Sequence, residues 1–266
     1  MTREEDARRL AEVYSAQARG YADGWSPIIR PIGRNLLAAL AWPGARRVLD
    51  VGAGVGAHFS DIRSLAPGAW VLGIDRSPGM LELARAHGVP LALMDAMDLG
   101  LRTASIDVAV MIFVLFHLPD PVTALGEIRR VLRPRGMLGT TTWAEDPEVE
   151  ASRVWEEELD RCGATDPMPI PARGDALMNS PEKMAELFST AGFEPVRVWV
   201  EPVEHRWDVN ALFALHVGFG RTKRKLESID PDRRTTFLER VRQLWAGLGP
   251  NAFLYRATVV CGTACR

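Results

Sequence analysis

Nine consecutive apolar residues, Val108–Phe116, lack the alternation that a strand with one wet face would show. A run of that length and character is a strand buried on both faces, which requires helices above and below a largely parallel sheet. The flanking sequence supplies them. Strand-like runs at Arg46–Val51, Trp70–Ile74, Pro90–Met94, Ile106–Phe113 and Gly136–Thr142 alternate with helix-period stretches at Ala57–Leu65, Pro78–His87 and Pro121–Leu132. The last two stretches begin after Ser77 and Asp120, which can cap a helix, with proline in the first turn. The pattern predicts a doubly wound α/β sheet. Beyond Thr142 the rhythm changes, yet a capped helix over Ser180–Gly192 and strands at Val196–Val203 and Phe253–Val260 are expected to finish the same sheet. The whole of 1–266 therefore reads as a single domain, in which 143–179 and 204–250 are insertions that form a lid over one edge or face.

Composition removes several classes of function. With 47% hydrophobic and 25% charged residues the chain has the make-up of a folded protein. A net charge of -2 provides no field to gather nucleic acid, so a nucleic-acid partner is not expected. No run approaches the ~18–20 apolar residues of a spanning helix, so no membrane partner is expected either. The first ten residues are charged throughout and do not read as a secretory leader. Three cysteines, Cys162, Cys261 and Cys265, make neither an even disulfide set nor a paired metal motif. A reducing, cytoplasmic setting is the expectation. Asp120 and Asp146 stand without companion ligands at useful spacing, and no metal site is predicted.

The chemistry concentrates in Val48–Gly56, where Gly52, Gly54 and Gly56 follow a strand and precede a helix. Such glycines let the backbone turn through positive φ and let a ligand approach the main chain. The spacing departs from the G-x-G-x-x-G of a dinucleotide loop. Asp50, two residues before the first glycine, would repel a pyrophosphate but suits a ligand that presents an ammonium group. Asp75 ends the next strand nineteen residues beyond Gly56, near the ~20-residue spacing at which a carboxylate reaches ribose hydroxyls. After the third strand, Asp95 can accept from an adenine amino group while Ala96 and Met97 line the ring. Ammonium, ribose and adenine in that order describe S-adenosylmethionine better than a nicotinamide dinucleotide.

These segments, together with Ile106–Pro121 and Val131–Leu138, resemble the class I S-adenosylmethionine-dependent methyltransferases, in particular the small-molecule branch that includes the ubiquinone and menaquinone methyltransferases. The likeness covers about 10–140. It implies a Rossmann-like, mostly parallel seven-stranded sheet with helical lid insertions, in which 1–30 is an N-terminal helical lid and 31–142 the cofactor-binding half. It also implies that Gly52, Ala53 and Gly54 hold the methionine end of the cofactor, Asp75 the ribose, and Asp95, Ala96 and Met97 the adenine, with Arg76 a further cofactor contact. By the same resemblance Ile112 flanks the sulfonium, and the segment Tyr14–Tyr21 folds over the cofactor, with Tyr21 contacting it. Many relatives carry a small polar residue at the position of Ile112 and His at that of Phe116, so the polar lining there is reduced.

The expected reaction is SN2 transfer of a methyl group to O, N or C of a small, apolar or aromatic metabolite, for which positioning alone contributes ~7–11 kcal/mol. His117 is the candidate base and a second cofactor contact, with a purely structural role as the alternative. Tyr14, Trp25, Trp143, Trp207 and His216 are the candidate acceptor contacts. The basic run Arg221–Lys225 reads as a solvated helix face, or else as a site for an acidic partner. A homodimer is a candidate assembly. Two rival activities stand beside methyl transfer: a non-methylating rearrangement or cyclisation around bound cofactor, and a nicotinamide-dependent oxidoreduction that Asp50 and the glycine spacing oppose.

Overall fold

The computed structural model describes residues 3–42, 44–145, 148–169 and 174–266. Asp146 and the end of the proline-rich stretch at Pro171 lie outside them. The chain opens with α1 (Arg3–Ala16) and the short α2 (Ala18–Gly20), which runs through a π-helical turn, Tyr21–Trp25, into α3 (Ser26–Ala39). The alternating unit follows: β1 (Arg47–Val51), α4 (Phe59–Leu65), β2 (Trp70–Asp75), α5 (Pro78–Ala84), β3 (Leu91–Leu93), β4 (Ile106–Ile112), α6 (Pro121–Val131) and β5 (Leu132–Glu145). Then come α7 (Glu150–Arg161), α8 (Pro181–Thr190), β6 (Glu194–Arg206), α9 (Val209–Gly218), α10 (Gly220–Glu227), α11 (Pro231–Ala246) and β7 (Leu254–Cys265). Local chemistry starts the helices where the sequence indicates. Ser77, Asp120 and Ser180 each accept a backbone N–H three residues on, and each is followed by proline at the first helical position.

One seven-stranded sheet has the order β3-β2-β1-β4-β5-β7-β6. The first five strands pair in parallel, and β7 runs antiparallel to both neighbours. β4 is the apolar run of the sequence, and Ala109, Val110 and Met111 are fully buried between the helix layers. The strand order reverses between β1 and β4, so the loops leaving their carboxyl ends diverge and open a crevice. β6 is the outer edge.

The last strands are longer than their apolar cores predict. β6 continues past Val203 through Glu204, His205 and Arg206, which pair in register with Arg256, Tyr255 and Leu254. Those polar residues look like loop in sequence, and the antiparallel ladder with β7 is what holds them extended. Trp143–Glu145 likewise belong to β5 and not to an insertion.

The remaining helices, α7, α9, α10 and α11, pack on one another around aromatic side chains. Trp155 is fully buried, with His216 stacked on it at 5.0 Å and Phe213, Phe237 and Trp245 edge-on or tilted between 5.1 and 5.7 Å. The basic run is spent inside this layer. Lys225, only 2% exposed, bonds Glu156 at 2.7 Å and Asp160 at 2.5 Å, while Arg224 pairs with both oxygens of Asp166. Lys223 bonds Glu227, and Arg221 lies 3.7 Å from Glu156. Acids of α7 and the loop after it thus neutralise Lys225 and Arg224, Glu227 of α10 itself pairs with Lys223, and Arg221 keeps an exposed side chain. Trp155→Ala should cost about 3–5 kcal/mol, read as a fall in the urea midpoint; a loss under ~1 kcal/mol would show that these helices do not share a core.

Candidate active site

The crevice at the ends of β1 and β4 is a cavity lined by residues of α1, β1, β2 and β4 and the loops that leave those strands, the place where open α/β sheets take their ligands. The loop after β1 forms its floor. Gly52 and Gly54 take φ of 69° and 54°, and a Cβ on Gly52 would lie 2.4 Å from a methyl of Val114. A side chain is disfavoured at Gly52 by both conformation and space and at Gly54 by conformation. Asp75, at the end of β2, ties two loops together: Oδ2 accepts from Gly54 N–H at 2.9 Å and Oδ1 from Ser77 N–H at 2.8 Å. A carboxylate has about four lone-pair sites, so each oxygen keeps capacity toward the cavity that Asp75 lines.

Asp50 lies beneath the glycine loop. It is 2% exposed, and its Oδ2 has no hydrogen-bond partner. Burial, and next the charge of Asp75, push its carboxyl up to about 7. Asp75 is raised as well, chiefly by burial, against the lowering effect of its backbone hydrogen bonds. The Tyr21 phenol is driven far upward by burial, then by Tyr14, Asp75 and Asp50, and stays protonated. Two buried acids and a buried hydrogen-bond donor make an environment that favours a cation carrying hydroxyl groups.

The wall from β4 carries strain. Phe113 has φ of 58°, a genuine outlier for a bulky residue, and its N–H is held by the hydroxyl of Thr141 at 3.0 Å. Its ring faces the cavity on one side and Trp143, 4.6 Å away, on the other. Past Phe113 the chain turns to His117, whose Nε2 lies 3.1 Å from Tyr14 Oη. Tyr14 reaches it from α1, which lies over the cavity and is clasped to α5 by Ser15 Oγ, 2.8 Å from Ser77 Oγ.

The structure brings Tyr14, Tyr21, Gly52, Gly54, Asp75, Arg76, Ala96, Ile112 and His117 to one cavity. The others it places elsewhere. Ala53 faces away and spends its N–H on Ile74 O at 2.9 Å. Asp95 pairs with Arg76 at 3.6 Å at the outer mouth, and its Oδ1 accepts from Met97 N–H. That turn carries Met97 off the lining, and Met94 takes its place. Trp25, Trp143 and Trp207 do not line the cavity; with Tyr255 they form an aromatic cluster behind Phe113, in which Trp25 stacks on Trp207 at 6.4 Å and 14°. His216 is core, stacked on Trp155 and bonded to Ser152 and Thr222 at 3.0 and 3.2 Å. Burial holds its imidazole down at about 3, so it stays neutral.

Sequence reasoning missed Phe113, Ser77 and the α1 face made by Ala7, Leu10 and Ala11. The last was findable, since Ala7, Leu10, Ala11 and Tyr14 stand at i, i+3, i+4 and i+7.

Comparison with known proteins adds to this geometry. The methyltransferase domain family matches residues 49–139. The malonyl-acyl-carrier-protein O-methyltransferase of Methylococcus capsulatus is 35% identical over 158 residues, 56% of this chain and 57% of that one. The chain thus spans about half the length of that relative. The nocamycin O-methyltransferase of Saccharothrix syringae is 27% identical over 274 residues, 96% of this chain and 95% of that one. Among solved structures, the (4+2)-cyclase SpnF superposes with a TM-score of 0.60 at 18% identity, covering 98% of this chain and 96% of that one, a likeness of fold. Residues 49–139 thus carry a methyltransferase domain, and the chain is similar to methyltransferases that act on small molecules.

Asp50 links this geometry to pH. Its native carboxyl, at about 7, holds a proton more tightly than the 3.8 of the unfolded chain. The stability that this difference contributes is present at low pH and is lost as pH rises through 7, at ~1.4 kcal/mol per unit. Asp50→Asn should therefore raise the melting temperature of ligand-free protein more at pH 8 than at pH 5. A gap that fails to widen across that range would show that the carboxyl is not buried unpaired.

Proposed function

We propose that the protein transfers a methyl group from S-adenosylmethionine to a hydroxyl oxygen of a small apolar acceptor. The observation that carries this reading is the Tyr14–His117 hydrogen bond on the wall of a cavity otherwise built for a nucleoside cation. The orphaned Asp50 oxygen and the side-chain-free cradle of Gly52 and Gly54 fit the cofactor. Asp50 would take its ammonium group, Asp75 its ribose hydroxyls, and Ala96 and Met94 would flank its adenine. Bound there, S-adenosylmethionine supplies a methyl group already activated as a sulfonium substituent.

The protein's own part is placement and one proton. Ile112, Phe113 and Val114 present apolar surface at the reacting end and exclude water. Tyr14 and His117 form a relay: as the acceptor oxygen takes the methyl group, its proton passes to Tyr14 Oη while the Tyr14 proton moves to His117 Nε2. An alcohol or phenol needs such a base, whereas an amine needs none. The two O-methyltransferase relatives support oxygen as the acceptor atom. The acceptor side is formed by the relay and the Phe113 wall, and this apolar, aromatic surrounding favours a hydroxylated aromatic molecule.

Calorimetry should show S-adenosylhomocysteine binding at micromolar level, weakened at least about tenfold in Asp75→Ala, the loss of a charge-assisted hydrogen bond. Tight binding of NADH with none of S-adenosylhomocysteine would overturn the cofactor assignment. His117→Gln should bind S-adenosylhomocysteine as the wild type does yet lose about 10²–10⁴-fold in methyl transfer to a panel of phenols, followed by mass spectrometry. An unchanged rate in that variant would remove the relay from the mechanism.

A further inference from the structure

The turn between α9 and α10, Gly218–Phe219–Gly220, does not line the cavity, yet it grips the helical cap that does. Gln17, 4% exposed, holds the main chain of Gly220 from both sides: Gly220 N–H donates to Oε1 at 2.7 Å, and Nε2 donates to Gly220 O at 3.5 Å. Phe219 sets its ring 6.0 Å from that of Tyr14 and 5.4 Å from that of Tyr21. The backbones themselves meet at Gly20, where a Cβ would stand 2.1 Å from Gly218 O. From the insertion the contacts run unbroken through Tyr14 to His117, and through Tyr21 to the edge of the Gly54 cradle, 4.0 Å from where a Cβ would sit.

The cap is therefore clasped at two places of different origin. Ser15 fastens it to Ser77 and Gly79, within the half that carries the cofactor residues. Gln17, Gly20 and Phe219 fasten it to the insertion. α1, which ends at these clasps, is amphipathic and solvated along its outer face, and a single helix of this length holds its place by such contacts and not by intrinsic stability. We propose that Gln17, Gly20 and Phe219 are positioning residues that make the Gly218–Gly220 turn a latch on the cap. Through it the insertion sets both the seating of Tyr14 on His117 and the time for which spent cofactor is retained. This rests on the cofactor reading given above. The latch is small and local: one amide, one ring and one close approach of two glycines.

Gly20→Ala is the sharpest test, because alanine is ordinarily the better residue in a helix and here its methyl would wedge against a backbone oxygen. Stopped-flow tryptophan fluorescence on the full chain would measure dissociation of S-adenosylhomocysteine. Gln17→Ala, Gly20→Ala and Phe219→Ala should each speed it about tenfold, the scale of one or two lost hydrogen bonds, with association little changed. Phe219→Leu, which keeps apolar bulk at the turn, should return most of the wild-type rate. Wild-type protein that fails to bind S-adenosylhomocysteine overturns the cofactor reading and the latch with it. Binding with wild-type dissociation rates in all three variants, or slower dissociation in Gly20→Ala, overturns the latch alone.

Discussion

The hydrogen bond from Gly54 N–H to the Asp75 carboxylate is the constraint from which the site is built. It joins the loop leaving β1 to the end of β2, so that the glycine backbone and a carboxylate share one edge of the crevice. The same carboxylate accepts from Ser77, which caps α5, and Ser77 in turn meets Ser15 of the cap. One ionisable side chain thus sets the loop, the start of a helix and, at one remove, the cover of the cavity. Burial raises its pKa and its charge adds to the larger effect of burial on Asp50, and the charge the site requires follows from that geometry.

Much of this is legible in the residues because glycine and aspartate have few other reasons to stand where they do. Three glycines between a strand and a helix specify positive φ, and all three adopt it. Aspartates that end strands at a topological switch point face a crevice whatever the sequence around them. The parallel order of β1 to β5 follows in the same way from apolar runs with helices between them. Aromatic residues carry no such constraint. Trp25, Trp143 and Trp207 have the composition of a binding surface, but an indole face is satisfied equally by a ligand or by another indole, and here it is other aromatics. Phe113 shows the opposite failure. It is one apolar residue inside an apolar run, and only the backbone reveals that its φ sets it apart. The exchange of Met97 for Met94 belongs to the same class, since a turn closed by the Asp95 side chain decides which methionine faces inward.

The two parts of the molecule use charge differently. Beside the glycine loop, Asp50 is buried with an unpartnered oxygen and Asp75 is held by backbone N–H groups, which leaves both able to receive a positively charged ligand. Among α7, α10 and α11, buried charges are paired with opposite ones, some of them at the surface. Lys225 with Glu156 and Asp160, Arg224 with Asp166, and Glu158 with Arg240 and Arg161 neutralise one another. A dense basic stretch in sequence is there a means of packing helices, and it projects little field into solvent. Removing one member of such a group would leave its partner charged and desolvated, so these pairs lock the arrangement of α7 and α10 more than they stabilise it.

The outer edge of the sheet bears on how copies of this chain can meet. β6 is a long edge strand with Val196 and Val200 well exposed, the kind of border that invites another strand. Pro195 and Pro202 stand in it, and proline is tolerated on an edge because it withdraws a donor from the outward row. The border is thereby broken into short lengths that offer no continuous ladder. The C-terminal strand β7 is kept inside the sheet, and the border falls to a strand that two prolines interrupt.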